Sequence, residues 1–585
     1  MKRLAPALLP ALFCACLLLG GAATATAAPS AAETQFRHIY TTEWTWRQAQ
    51  DGDDSAALPR VDPATQEARR AYWADVLARL DGLDVASLDE EEGINYAVYH
   101  AQVGALLAEQ RFREYEKPLN ADTAFWNDLA YIARKPRRTE AQYRSYIAQL
   151  NDVPRYFHEQ IANMRAGLAR GFTPPQVTLA GREQALVAVA QAPDPQATLF
   201  YQSLRQLPAA MPAQQQAALR AAATQAIREA VMPAYAELLA FMRDVYIPGA
   251  NQTLAAESLP DGKAYYQSKI TEFTTTTLSA AQIHAIGLQE MRKIRAEMQS
   301  TIAQTGFKGD FAAFLHFLRS DPQFYARTPE ELLMRSAWVA KKFDARAAQY
   351  FGYLPRQRFA IIPVPPEQAP HYTSARGGPG IYLVNTYDLP SRPLYSMPAL
   401  TLHESAPGHA FQMPIALEQQ GRPAFRRAYI SAYGEGWALY CERLGAEMGI
   451  YETAYETFGM LSYQAWRAAR LVVDTGIHAQ GWTRAQAQAY LHDNTALSPH
   501  EIETEVDRYI SWPGQALSYY LGEMSILEGR RKAEAALGER FDIRAFHDTV
   551  LELGSVPLPV LERRIDHFIA AGGKGPYPDA ALAAP

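Results

Sequence analysis

The sequence predicts a mostly α-helical fold in two lobes that carries one small β-sheet. Beyond residue 60, apolar residues recur at three- and four-residue spacing through most of the chain. Several of these runs open with a hydroxyl residue three places before a Glu or Gln, the pattern of a capping box. Only one short region is rich in branched residues between Pro and Gly, as a sheet requires. With 585 residues, 48% hydrophobic and 20% charged, the chain can bury large cores, and disordered, collagen-like and disulfide-scaffold classes are excluded. Its 56 basic and 62 acidic residues give a net charge of −6 with no long basic run, so nucleic acid is not an expected partner.

Taken in order, Lys2 and Arg3 precede an apolar stretch from Leu4 to Leu19, and small residues follow with cleavage options after Ala25 or Ala27. Residues 1–27 are therefore expected to be an export signal, placing the mature chain in the periplasm or outside the cell. Cys14 and Cys16 lie inside that segment, so Cys441 alone would survive and no internal disulfide can form. Lipid attachment at Cys16 is the disfavoured alternative, because Phe13-Cys14-Ala15-Cys16 lacks the usual leucine and the apolar stretch continues past the cysteine. No later window is apolar enough for a stable membrane span.

Helices are expected over Thr65–Leu80, Ser87–Tyr115, Thr139–Leu168, Met211–Arg243, Ser279–Thr305 and Thr328–Tyr350, with capping boxes at Ser87, Ser279 and Thr328. The sheet is expected from Phe359–Val364 and Gly380–Thr386. A divide near residue 250 separates an N-terminal helical lobe, 28–250, from a lobe, 251–585, that carries the motifs below.

The chemistry begins at His403-Glu404-Ser-Ala-Pro407-Gly408-His409. Of the three His-Glu pairs in the chain, at residues 158, 403 and 500, only this one has a second histidine close behind. In the common zinc-peptidase helix the two imidazoles stand four residues apart and the glutamate acts as base on water. Here the interval is six, which on a regular helix leaves the second histidine ~120° from the first. The helix must deform, and Pro407 and Gly408 are the residue types that allow it. Pro407 cannot donate to the His403 carbonyl, and Gly408 tolerates unusual dihedrals. A two-histidine site needs one more protein ligand, and Glu435, 26 residues after His409 at the start of an apolar helical run, is the candidate. Glu442 shares its face and could be the ligand instead, or could orient one. Arg470, Asp474 and His478 recur every four residues along one stripe; they form either an ion-pair ladder or a surface where Arg470 or His478 meets a substrate.

His403-Glu-Ser-Ala-Pro-Gly-His409, Glu435-Gly-Trp-Ala-Leu-Tyr, Arg470-Leu-Val-Val-Asp474-Thr-Gly-Ile-His478 and Pro513-Gly-Gln515-Ala-Leu-Ser-Tyr519 together resemble the bacterial family known as domain of unknown function 885. Its core is similar to the helical zinc peptidases typified by carboxypeptidase Taq, thimet oligopeptidase and angiotensin-converting enzyme. This sequence departs from their motif by the two inserted residues; dipeptidyl peptidase III carries a comparable, shorter insertion and still binds zinc. The resemblance implies a large two-lobed metallopeptidase-like fold with its sheet near the active site. It also implies Zn²⁺ on His403, His409 and Glu435, and Glu404 as general base. Tyr519 is implied as donor to the oxyanion, with Tyr520 the other possibility; the stripe, in its functional reading, adds His478 as a further expected catalytic group. An edge strand pairing with the substrate is placed at Tyr382 to Asn385, with Arg470 and Gln515 as additional substrate contacts. The expected activity is hydrolysis of short peptides. A non-peptide amide substrate, or an inactive helical binding protein, are the alternatives.

Overall fold

A computed structural model of the chain describes residues 29–51, 56–366 and 368–577; the expected export signal lies outside them. Helices α1 (Ala31–Asp51), α2 (Pro63–Asp81), α3 (Glu90–Phe112) and α4 (Glu140–Arg170) lead into a long helical run over 213–249 that passes through two π-helical turns. Then follow α5 (Gly262–Thr274), α6 (Ala280–Thr305) and α7 (Pro329–Asp344). The remaining helices used below are α8 (Met397–Glu404), α9 (His409–Glu418), α10 (Ser431–Glu447), α11 (Ala454–Gln480), α12 (Pro499–Ser511) and α13 (Ser518–Leu537). Among the described residues no helix is long and apolar enough to cross a membrane.

The caps show how local chemistry sets these boundaries. At α6 the box closes both ways: Ser279 Oγ accepts from Gln282 N, and Gln282 Oε1 accepts from Ser279 N. At α7 Thr328 accepts from Glu331 N, while the Glu331 carboxylate takes Arg327 N instead. The cap expected at Ser87 is Asp89, which accepts from Glu92 N at 2.7 Å. A carboxylate is the stronger acceptor and suits the positive helix terminus.

The packing groups the chain differently from a divide at residue 250. One core joins Leu58 with side chains from 119–250. A second runs along α5, α6 and α11 and reaches Tyr519 and Tyr520. The faces of α1 to α3, including Phe36, Trp73, Val98 and Tyr99, enter a third core with residues from 326 to 568. Tyr99 lies 4.8 Å from the Phe425 ring, and Arg426 donates to Asn95 at 2.6 Å. These first helices bury apolar faces that only the C-terminal half can cover.

The sheet has three strands, β1 (Ala360–Pro363), β2 (Ala375–Gly378) and β3 (Ile381–Val384), in the order β1-β3-β2. β1 runs parallel to β3, and β2 antiparallel to it with Gly377 opposite Tyr382. Two strands match the expectation. The third reads Ala-Arg-Gly-Gly and has no branched residue to announce it.

Candidate metal centre

α8 leaves helical geometry at Ser405 (φ −100°, ψ −110°), and α9 begins at His409. The expected deformation is a complete break. Leu402 O, which in an unbroken helix would accept from residue 406, accepts from Gly408 N at 3.0 Å. Two residues have thus been looped out of the hydrogen-bond ladder. A Cβ on Gly408 would stand 1.8 Å from His403 O, so only glycine permits this closure. Trp437 on α10 pins the loop by donating its indole N–H to Pro407 O at 2.8 Å. The break turns the two imidazoles together, with centroids 4.9 Å apart and planes at 90°.

The third carboxylate arrives through a helix crossing. α10 and α13 touch backbone to backbone, where a Cβ on Gly522 would lie 1.9 Å from Ala432 O and one on Gly436 2.4 Å from Gly522 C. Glu435 Oε2 then sits 3.3 Å from His409 Nε2 and 3.5 Å from His403 Nε2. One ligand atom from each of the three residues lies within 4.8 Å of the others. Glu442 occupies the other side of His403: its carboxylate accepts from Nδ1 at 2.8 Å, with Arg467 3.4 Å away. A histidine that donates from Nδ1 presents a lone pair at Nε2, so Glu442 orients the imidazole and Glu435 shares the cluster.

Burial by itself would depress the His403 imidazole, but Glu435, Glu442 and Glu404 outweigh it and push the pKa up to about 10. Burial would likewise raise the Glu435 carboxyl, yet His409 and His403 hold it well below the ordinary range. Lone pairs converge here and need a shared positive charge. Two buried imidazoles and one half-buried carboxylate, backed by a second, buried carboxylate, are a donor set that fits zinc.

Glu404 is half-buried beside the sheet, where Gly377 N donates to its Oε2 at 2.6 Å. The strand at the site is therefore β2, and this corrects the expectation for Tyr382 and Asn385. β3 is flanked on both sides, so its backbone is already paired. Tyr382 is buried with its phenol 3.2 Å from the Thr401 hydroxyl. Asn385 donates its amide to Ala369 O, Tyr372 O and Thr373 O and accepts from Tyr387 N. Its capacity is spent on the loop.

Tyr519 does stand at the cluster, its ring stacked over His403 at 17° and 6.4 Å. Tyr520 points away and donates to Glu290 at 3.1 Å. Arg470 lies beneath Tyr519 with its guanidinium 4.3 Å from the ring centroid, held by Glu505 at 2.8 Å and the Tyr509 hydroxyl at 2.9 Å. Gln515 accepts from Arg508 at 2.9 Å and is a neighbour of the phenol through that arginine.

His478 is a correction. Its Nδ1 accepts from Ala256 N at 3.1 Å, and its Nε2 donates to Tyr509 O at 2.9 Å. Fully buried, its pKa falls to about 4, so both nitrogens are spent on the fold and no proton is free to move. Asp474 instead accepts from the Tyr266 hydroxyl and Gly514 N. The stripe is neither an ion-pair ladder nor a cleft surface.

Two residues at the site escaped the sequence. Tyr429, in the loop before α10, has its ring 6.3 Å from the His409 ring. Arg508 donates to the Tyr519 oxygen at 3.3 Å. Neither sits at a diagnostic spacing from a ligand.

Among solved structures, a protein from Colwellia psychrerythraea described as a candidate lipoprotein shares 27% identity and a TM-score of 0.84, over 93% of this chain and 100% of its own. Another, from Shewanella oneidensis and also described as a candidate lipoprotein of unknown function, shares 18% identity and a TM-score of 0.69, over 91% of this chain and 99% of its own. An M32 carboxypeptidase from Deinococcus radiodurans R1 aligns over 87% of this chain and 99% of its own at 13% identity and a TM-score of 0.31, too low to bear on function. No curated protein matches in sequence. The family model for bacterial proteins of unknown function, DUF885, matches residues 46–565, and the chain belongs to that family.

Proposed function

We propose that the chain is an exported, zinc-dependent peptidase that hydrolyses short peptides. The observation that carries this reading is the meeting of His403, His409 and Glu435, three ligand atoms within 4.8 Å, beside a glutamate held by a strand edge. Zinc bound by those three residues would supply a Lewis acid for the scissile carbonyl and an acidified water. Gly377 fixes one oxygen of Glu404, and the carboxylate accepts the proton of the attacking water and passes it to the leaving nitrogen. The Tyr519 hydroxyl donates to the carbonyl oxygen as that atom gains charge, which a neutral phenol does without ionising. An extended substrate would lie against β2. Export is supported by the Lys2-Arg3 and Leu4–Leu19 pattern; the candidate lipoproteins among its structural relatives keep attachment through Cys16 open as a variant of that reading.

Metal analysis of the purified chain, paired with mass-spectrometric digestion of a mixed peptide library with and without chelator, tests the proposal. About one zinc per chain and chelator-sensitive cleavage are expected. Zinc-loaded protein that leaves every peptide intact would remove the peptidase reading, and acyl-amino acids would then be the next substrates to assay.

A further inference from the structure

Tyr519 is constrained from three directions. Arg470 lies against its ring at 4.3 Å, His403 stacks across from it, and Arg508 Nη2 reaches its oxygen at 3.3 Å. A guanidinium has five N–H donors and no acceptor, so at this contact the phenol oxygen can only accept. The Tyr519 hydrogen is thereby excluded from the Arg508 side and remains available for another partner.

Arg508 is itself tightly placed. The same Nη2 donates to Gln515 Oε1 at 2.9 Å, Nη1 lies 3.6 Å from Glu505, and Nε lies 3.3 Å from Asp122. Asp122 comes from the N-terminal half, on a loop whose Ala121 N–H docks on Ser511 Oγ at the end of α12 at 2.8 Å. Glu505 also holds Arg470, so one carboxylate serves both the guanidinium under the ring and the one at its oxygen.

We infer that Arg508 is a positioning residue that aims the Tyr519 hydroxyl at the His403–His409–Glu435 cluster, with Asp122, Glu505 and Gln515 as its anchors. Its kinetic consequences rest on the peptidase reading above. Arg508 acts through Tyr519 and does not touch the substrate, and this distinguishes it from an arginine that captures a substrate carboxylate.

The test combines kinetics with a spectroscopic readout. Tyr519→Phe should lower kcat about 10²-fold and Arg508→Gln about 10-fold, both with KM little changed and zinc content as in the wild type. The double variant should be no slower than Tyr519→Phe alone, because without the hydroxyl there is nothing left to aim. Arg508→Lys should recover part of the loss, and Asp122→Asn, which keeps the arginine, should reproduce a smaller decrease if Arg508→Gln fails to fold. Independently of activity, the chain carrying 3-fluorotyrosine at position 519 should give one sharp ¹⁹F resonance that broadens or splits on Arg508→Gln or Asp122→Asn. A raised KM with unchanged kcat, or losses that multiply in the double variant, would overturn the inference. An unaltered ¹⁹F line in both arginine-site variants would overturn it as well, even if the chain cleaved no peptide. Absence of cleavage in the zinc-loaded wild type, with the ¹⁹F response intact, would count against the peptidase reading alone.

Discussion

Two clusters of polar residues in this protein look alike in the sequence and differ in what their atoms face. In the 403–435 cluster, His403 Nε2, His409 Nε2 and the Glu435 carboxylate face one another, three acceptors drawn from three helices. In the 470–478 stripe, every member points to its own partner: Arg470 to Glu505, Asp474 to Tyr266 and Gly514, His478 to Ala256 and Tyr509. Both are largely buried, and both contain imidazole and carboxylate. The difference is that each member of the stripe reaches a partner outside the stripe, whereas the cluster turns its lone pairs onto one point, where only a shared cation or proton can reconcile them. Burial and residue type together do not identify a site; unreconciled polarity does.

The largest effect expected from this contrast is kinetic. Glu404→Gln should keep the metal and the fold yet lose about 10³-fold or more in kcat, because the amide retains the bond from Gly377 but has no basicity. Turnover close to wild type would move the base elsewhere.

Zinc binding should sharpen the comparison next. His403→Ala and His409→Ala should abolish stoichiometric metal, while Glu442→Gln, which only loosens the orientation of His403, should weaken affinity about 10- to 100-fold. His478→Ala should leave stoichiometry untouched. Competition with a chromogenic chelator reads all four, and full occupancy in either of the first two would remove that histidine from the ligand set.

Gly522→Ala probes how the cluster is assembled. The added Cβ meets a backbone carbonyl that cannot yield, so a stability loss of about 3 kcal/mol is expected by chemical denaturation, together with weaker zinc binding as α10 and α13 separate. Unchanged stability would show that the crossing relaxes freely.

The smallest effect near neutral pH concerns the stripe. His478 titrates near 4 in the folded chain, below the ordinary imidazole value, so between pH 6.5 and about 4 the unfolded chain binds the extra proton. Stability should therefore fall with decreasing pH across that window, by up to about 1.4 kcal/mol per unit from this residue, and His478→Gln should flatten the slope. An identical slope in the variant would assign the effect to other groups.

The helical fold and the candidate ligand trio were readable because they depend on local chemistry. Periodicity and caps mark helices within a few residues, and a Pro-Gly pair between two histidines states that a helix must open. What could not be read was set by contacts far apart in the chain. Ala256 and His478 are 222 residues apart, and that bond, together with the one from His478 to Tyr509 O, turns a candidate catalytic histidine into a structural one. Likewise Glu435 and Glu442 occupy comparable positions on one helix face, and only the placement of α8 against α10 gave one to Nε2 and the other to Nδ1. The strand beside Glu404 was hidden because Ala375–Gly378 pairs through backbone groups that every sequence possesses, and the docking of Arg508 on Tyr519 depends on where α12 and α13 meet. Residue types limit which chemistry is possible. Which atoms face each other is settled when the helices pack, since burial requires each polar group to find the partner that the fold brings within reach.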